Sequence, residues 1–363
     1  MTPHSIRSYT LRKIKAVSKT SQEHLLVLRL SAMGDVALMV PVIGRLRDSY
    51  PRLTITVVSQ EKFRPMFEML PGVIFFAADI YGRHKGLFGM YRLFQELRKN
   101  NKITAIADLH DVIRTRVLRF FFRLAGHQTF IIDKGRQEKK ELTRKVNKKL
   151  TPLKTTIQRY KEVFDTAGFP FELNTKAERT KLSATDKVLQ LMPEVQKVKI
   201  GIAPFAMHRE KMYPLDHMEE VALSLLQKNY TIILFGGGKK ELALMQEWET
   251  KYPGMVNTIG RLSFSEELIL ISQLDGMISM DSANMHLASL FGVPVISIWG
   301  ATHPFAGFYG FGQSAENIVQ AELYCRPCSV FGNKTCYRGD WACLKMIDPQ
   351  TIIDKTEKML NRK

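Results

Sequence analysis

The 363-residue chain has no apolar run approaching the ~20 residues that cross a bilayer. Its opening segment, Met1 to Glu23, is polar and basic and lacks the apolar stretch of a secretory signal. These two absences lead us to expect a cytoplasmic protein. Glycine signatures are missing as well. The turn Leu30-Ser-Ala-Met-Gly-Asp-Val36 holds one glycine rather than G-x-G-x-x-G, which disfavours a nicotinamide enzyme. Phe235-Gly-Gly-Gly238 lacks the trailing Lys-Ser/Thr of a P-loop, so nucleotide hydrolysis is not suggested. Cysteine is scarce, and all four residues, Cys325, Cys328, Cys336 and Cys343, fall in one short segment.

Acidic residues are also in short supply: 35 Asp and Glu face 53 Lys and Arg, a formal charge of +18. Such a surplus favours anionic partners, whether nucleic acid, an anionic membrane face or phosphorylated substrates. The charge is uneven. Lys134, Arg136, Lys139, Lys140, Arg144, Lys145, Lys148 and Lys149 crowd one stretch, and Arg114, Arg116, Arg119 and Arg123 recur at helical spacing. For both groups the plain alternative is a solvated face that aids solubility.

What the chain does contain is α/β grammar, twice. Its length suits two domains, each with its own core. In the first half His24–Leu30, Thr54–Ser59, Val73–Ala77, Ile103–Asp108 and Thr129–Asp133 read as strands. Helices are expected at Val36–Asp48 and near 62–69, 87–99 and 112–125. After a polar connection around 169–197 the pattern restarts. Strands are expected at Lys199–Ala203, Tyr230–Phe235, Val256–Ile259, Gly276–Met280 and Val295–Trp299, with helices near 215–228, 239–250, 265–273 and 283–291. Short buried strands alternating with helices imply doubly wound parallel sheets, whose ligands bind at the strand carboxyl ends.

Three constellations could carry chemistry. Asp35 ends the first turn, where a carboxylate is placed as a general base or, more simply, as a helix cap. The loop Pro204-Phe-Ala-Met-His-Arg-Glu-Lys-Met-Tyr-Pro214 presents His208, Arg209 and Lys211 to the cleft. Met280-Asp-Ser-Ala-Asn-Met-His286 opens a helix whose free N–H groups and dipole suit a phosphate, with Asp281 or Ser282 as cap and His286 close by. An ordinary capped helix is the competing reading. The cysteines, spaced C-x2-C-x7-C-x6-C, suit a closed tetrahedral Zn or Fe site, because stable disulfides are disfavoured in a reducing compartment. Reduced thiols and two disulfides remain the alternatives.

With these pieces in order, the chain resembles the family 9 glycosyltransferases, the ADP-heptose:lipopolysaccharide heptosyltransferases. The match rests on Ser31-Ala-Met-Gly-Asp35, Lys211-Met-Tyr-Pro214, Met280-Asp-Ser-Ala-Asn-Met-His-Leu-Ala288 and Gly300-Ala-Thr-His-Pro304, in an order that spans most of 24–310. The resemblance implies an α/β GT-B fold, two doubly wound Rossmann-like domains facing across a cleft. It divides the chain into an acceptor-binding domain at 1–170, a nucleotide-sugar-binding domain at 171–345 with the four-cysteine segment 325–343, and a helix at 346–363 packing back toward the first domain.

The resemblance also implies roles. Asp35 would be the catalytic base and Lys211 would contact the donor diphosphate. The donor site would comprise Met207, His208, Lys211, Gly236, Gly237, Asp281, Ser282, Ala283, Asn284, Met285 and His286. The acceptor site would comprise Ser31, Met33, Gly34, His110, Arg114 and Arg136. Ala283 stands where the family pattern commonly has Gly, leaving less room beside the phosphate. Some relatives carry clustered cysteines that bind a metal. The expected reaction is an inverting, metal-independent transfer of a heptose or related sugar from an ADP-sugar to a lipopolysaccharide inner core or other phosphorylated glycolipid. No cofactor is expected for catalysis. The enzyme would work peripherally at the anionic inner face of the inner membrane and take no specific nucleic acid. Rival readings are a GT-B enzyme using another NDP-sugar, an epimerase of that fold, an inactive sugar-nucleotide-binding homologue, or a basic nucleic-acid-binding protein without a recognisable reading motif.

Overall fold

The computed structural model describes residues 23–99, 102–174, 177–192 and 196–362. The segment before residue 23, including most of the basic N-terminal extension, lies outside the described residues. In the inner strands, runs of Val, Ile and Leu are buried on both faces, and they pair in parallel. The first sheet contains β1 (His24–Leu28), β2 (Thr54–Ser59), β3 (Val73–Ala77), β4 (Ala105–Asp108) and β5 (Gln128–Ile131), in the order β3-β2-β1-β4-β5. The second contains β6 (Lys199–Ala203), β7 (Thr231–Leu234), β8 (Met255–Asn257), β9 (Gly276–Met280), β10 (Val295–Trp299) and β11 (Ile318–Gln320), in the order β11-β10-β9-β6-β7-β8. The short β11 has too little apolar sequence to be read in advance, and it completes the edge beside β10.

In each sheet the strand order reverses beside the first strand of the domain. That switch point places the turn after β1 and the turns after β6 and β9 at the carboxyl edges, where ligands of such sheets bind. One core runs from the first domain into the second. It joins Val36, Met39 and Ile43 of the helix Met33–Ser49 to Met285, Leu287 and Ala288 of the helix Ala283–Leu290. The two domains therefore meet through these helices directly beside the expected site. A separate layer, Met90, Leu93, Phe94, Leu118 and Phe122 on Leu26 and Leu28, covers the opposite face of the first sheet.

Several sequence expectations change. Helices Arg136–Leu142 and Thr156–Thr166 occupy segments for which no element is expected, because charged residues interrupt their apolar spacing. The polar connection around 169–197 contains the short helix Asp186–Gln190. The helix expected at the C-terminus is present at Pro349–Leu360, but it does not cross back toward the first domain. Its buried face, Ile352, Ile353 and Met359, joins the core of the second domain with Met218, Val221 and Leu225. Lys228 and Glu357 pair at 2.7 Å along the same contact.

Several cations of the basic stretch 134–149 have partners within the protein, although Arg136, Lys140, Arg144, Lys145 and Lys149 stay exposed. Lys134 Nζ donates to the Asp111 carbonyl, Arg136 pairs with the Asp111 carboxylate and Lys149 with Glu141. Lys139 and Lys145 cross to the second domain and lie over the Phe308 and Tyr337 rings, at 4.5 and 4.8 Å. Lys148 donates to the Tyr324 and Pro327 carbonyls. Among the described residues no helix is long and apolar enough to cross a membrane.

Candidate active site

Asp35 lies in the first turn of the helix that follows β1. Its Oδ2 is held 2.5 Å from Arg29 Nη2, and Arg29 is itself 7 % exposed. Arg29 Nη1 donates to the Leu109 carbonyl, and its guanidinium lies 5.7 Å from the centre of the Tyr160 ring. Tyr160 donates its hydroxyl to the Asp35 carbonyl. Arg29, itself held by Leu109 and Tyr160, thus fixes the carboxylate, and Tyr160 fixes the Asp35 backbone. The sequence reading missed Arg29 and Tyr160. A charged residue at the end of the buried run Leu25-Leu-Val-Leu-Arg29 was the available signal, because such a residue demands a partner.

Gly34 brings this turn against the second domain. A Cβ at that position would stand 2.6 Å from His286 Cδ2, so only glycine allows the approach. His286 is buried, and its Nδ1 has no hydrogen-bond partner. Burial pulls its pKa down to about 4 against the opposing pull of Asp281 and Asp35, so the ring is neutral at pH 7. Lys211 Nζ stands 3.0 Å from Asp281 Oδ2, with both side chains mostly buried. Ser282 is the N-cap residue of Ala283–Leu290, yet its side chain makes no capping bond and its hydroxyl turns instead to Ser279. Asp281 is likewise committed to Lys211. The expectation that one of the two caps this helix is therefore corrected, and the leading N–H groups are left without a side-chain acceptor.

The chain around this point matches the model of glycosyltransferase family 9 (heptosyltransferase) over residues 90–337. The chain belongs to that family. The lipopolysaccharide core heptosyltransferase OpsX of Haemophilus influenzae is 23 % identical over 287 residues, 77 % of this chain and 80 % of the relative. The family 9 glycosyltransferase of Veillonella parvula superposes with a TM-score of 0.75 at 18 % identity, over 96 % of this chain and 100 % of that one. Escherichia coli heptosyltransferase WaaC, solved with ADP, gives 0.64 at 16 % identity, over 93 % and 99 %. The iron-containing dodecameric glycosyltransferase TibC of enterotoxigenic E. coli gives 0.54 at 12 % identity, over 94 % and 76 %. This glycosyltransferase has the GT-B fold.

Within the family 9 framework the remaining expected site residues separate. Around Asp35 the structure gathers Gly34, His110, His286 and, unforeseen, Lys139. Burial, with Arg29 and Lys134 nearby, takes His110 down to about 3. Burial and Arg159 take Lys139 down to about 8, with Asp35 acting the other way. Ser31, Met33, Ala283 and Asn284 are half-buried near these turns. His208 flanks Lys211, and the backbone of Gly332 packs on the Lys211 stem.

Other expected residues are elsewhere or otherwise engaged. Met285 is fully buried in the interdomain core, because it faces the helix Met33–Ser49. Met207 is 91 % exposed and projects into solvent. Gly236 is hemmed in by Ile259, Glu241 and Phe205, while Gly237 faces open space. The Gly237 N–H donates to Glu241 at 2.7 Å, which puts a carboxylate beside the turn expected to face the donor nucleotide. Arg136 is tied to Asp111, and Arg114 lies over the Tyr81 ring.

All four cysteines are free thiols and line one cavity of about 10 Å³. Burial, with Cys328, Cys325 and Cys336 nearby, pushes Cys343 up to about 12 against the opposing effect of Arg326. Among the described residues no group of three or more His, Cys, Asp or Glu stands at ligating geometry. A second cavity of about 180 Å³, lined by Arg144, Lys145, Lys334, Cys325 and Cys328, lies between the basic stretch and this lobe.

Proposed function

We propose that this family 9 glycosyltransferase moves a heptose from an ADP-sugar to a hydroxyl of a phosphorylated glycolipid, with the lipopolysaccharide inner core as the acceptor. The reading is carried by one observation: Asp35 of one domain and the Lys211–Asp281 pair of the other converge on His286. Of the relatives named above, OpsX is a lipopolysaccharide core heptosyltransferase and WaaC was solved with ADP, which supports the same donor and acceptor classes.

Asp35 takes the proton from the acceptor hydroxyl as the anomeric carbon gains oxocarbenium character. Arg29 holds the carboxylate in place. The departing diphosphate gathers negative charge and meets Lys211 together with the uncapped start of the helix Ala283–Leu290. Asp281 positions Lys211 until the diphosphate competes for it. With no second carboxylate assigned as nucleophile, the single displacement inverts the anomeric centre. Catalysis takes no cofactor in this scheme. The four cysteines line one cavity as free thiols, not yet at ligating distances, and drawn together around a structural Zn or Fe they would form a closed thiolate set with no open position for chemistry. The enzyme acts in the cytoplasm at the anionic inner face of the inner membrane.

Incubation with ADP-heptose and a panel of inner-core acceptors, read by mass spectrometry, tests the reading. Addition of one heptose to a defined acceptor is expected. Transfer from UDP- or GDP-sugars only would replace the donor assignment.

A further inference from the structure

The first domain carries an apolar face that nothing among the described residues covers. Phe88 is 90 % exposed, Ile113 80 %, Tyr81 69 % and Leu87 62 %. They lie at the starts of the helices Gly86–Lys99 and Ile113–Leu124 and in the loop before the first. Both helices pack on the face of the first sheet that looks away from the second domain. Each follows a strand, so their N-terminal ends stand at the sheet's carboxyl edge, the edge that carries Asp35. Ile113 is three residues from His110, which feels the Asp35 carboxylate. Arg114 stacks on Tyr81 and ties the loop to the second helix.

The charge within the segments that carry these residues has one sign. The segments Tyr81–Arg92 and Val112–Gly126 contain no Asp or Glu, yet carry Arg83, Lys85, Arg92, Arg114, Arg116, Arg119 and Arg123. Arg83 and Arg116 are answered by Glu96 and Asp111 and the buried Arg119 by Asp108, while Lys85 and Arg92 are exposed. Protruding aromatic and aliphatic side chains set among cations are the composition that inserts into an anionic lipid interface. A second copy is a poor occupant, since two such faces repel each other.

We propose that this face docks the enzyme on an anionic bilayer. Phe88, Leu87, Ile113 and Tyr81 enter the interface while Lys85 and Arg92 meet lipid phosphates, and the Asp35 edge is turned toward the membrane surface. The proposal deepens the glycolipid reading and rests on it for its purpose.

The test is co-sedimentation of the full chain with phosphatidylglycerol or phosphatidylcholine vesicles, with ADP binding measured in parallel. The protein is expected to bind phosphatidylglycerol vesicles in a salt-sensitive manner and to leave phosphatidylcholine vesicles unbound. The variant Leu87→Ser/Phe88→Ser/Ile113→Ser, and separately Lys85→Glu/Arg92→Glu, should each reduce partitioning at least tenfold. Both should keep the wild-type Tm and ADP affinity, because the residues are exposed and remote from the diphosphate. Wild-type partitioning by both variants would overturn the proposal. So would a dimer that these substitutions dissociate, without vesicle binding, which would give the face to a second copy. Loss of ADP binding in the wild-type protein would instead count against the donor reading and leave the vesicle result to stand alone.

Discussion

Lys211 Nζ and Asp281 Oδ2, 3.0 Å apart, join the loop after β6 to the turn after β9 and hold the two halves of the donor side together. Asp281 is 5 % exposed, so its charge depends on this cation. Removing one partner of a buried pair costs about 3–5 kcal/mol, chiefly because the other is left uncompensated. Lys211→Met should therefore lower stability and weaken ADP binding at least tenfold. Lys211→Met/Asp281→Asn should regain most of the stability and none of the ADP affinity. Thermal melts and calorimetric ADP titrations separate the two effects.

Gly34 and His286 form a tight approach between the domains. Gly34→Ala inserts a methyl 2.6 Å from the His286 ring and should cost about 1–3 kcal/mol through overpacking. Combining it with His286→Ala should cost less than the sum of the single changes. Strict additivity in a double-mutant cycle of melts would separate the two residues.

Acid should loosen this protein at its site first. Burial takes His110 to about 3 and His286 and His303 to about 4, against about 6.5 in the unfolded chain. Between those values the unfolded state binds more protons than the folded state, so stability is full above about pH 6.5 and falls as pH drops toward 4. Each histidine contributes about 1.4 kcal/mol per unit of separation at the acid end. Tm measured from pH 7.5 to 4.5 should decline, and His303→Gln should flatten the decline.

The cysteine lobe makes a prediction of its own. Purified protein should carry about one Zn or Fe per chain by elemental analysis, and Cys328→Ser should release it. Because the Gly332 backbone of this lobe packs on the Lys211 stem, metal loss should lower Tm and weaken ADP binding modestly. Metal-free wild-type protein with an unchanged Tm would remove the metal from the account.

The strands and the start of the helix Ala283–Leu290 were legible because their causes are local. Val293-Pro-Val-Ile-Ser-Ile298 has only the freedom of a buried parallel strand, and Gly292, at φ +62°, ends the helix before it. The partners of charged side chains were not legible. Charge density in 134–149 does not reveal that Lys139, Lys145 and Lys148 close onto rings and carbonyls of the other domain. The apolar stripe of Pro349–Leu360 says that the helix buries a face, not which domain receives it. Met285 illustrates the same limit, since its place in the motif suggested the donor and its packing assigned it to the core.

The central claim is that Asp35, held by Arg29, is the base that makes the acceptor hydroxyl a nucleophile. Its most direct test is the single-turnover rate of Asp35→Asn with saturating ADP-heptose and acceptor, alongside its ADP affinity. A loss of about 10²-fold or more in rate with near-normal ADP affinity is predicted, in keeping with the worth of general-base catalysis. Near-normal turnover by Asp35→Asn would contradict the account.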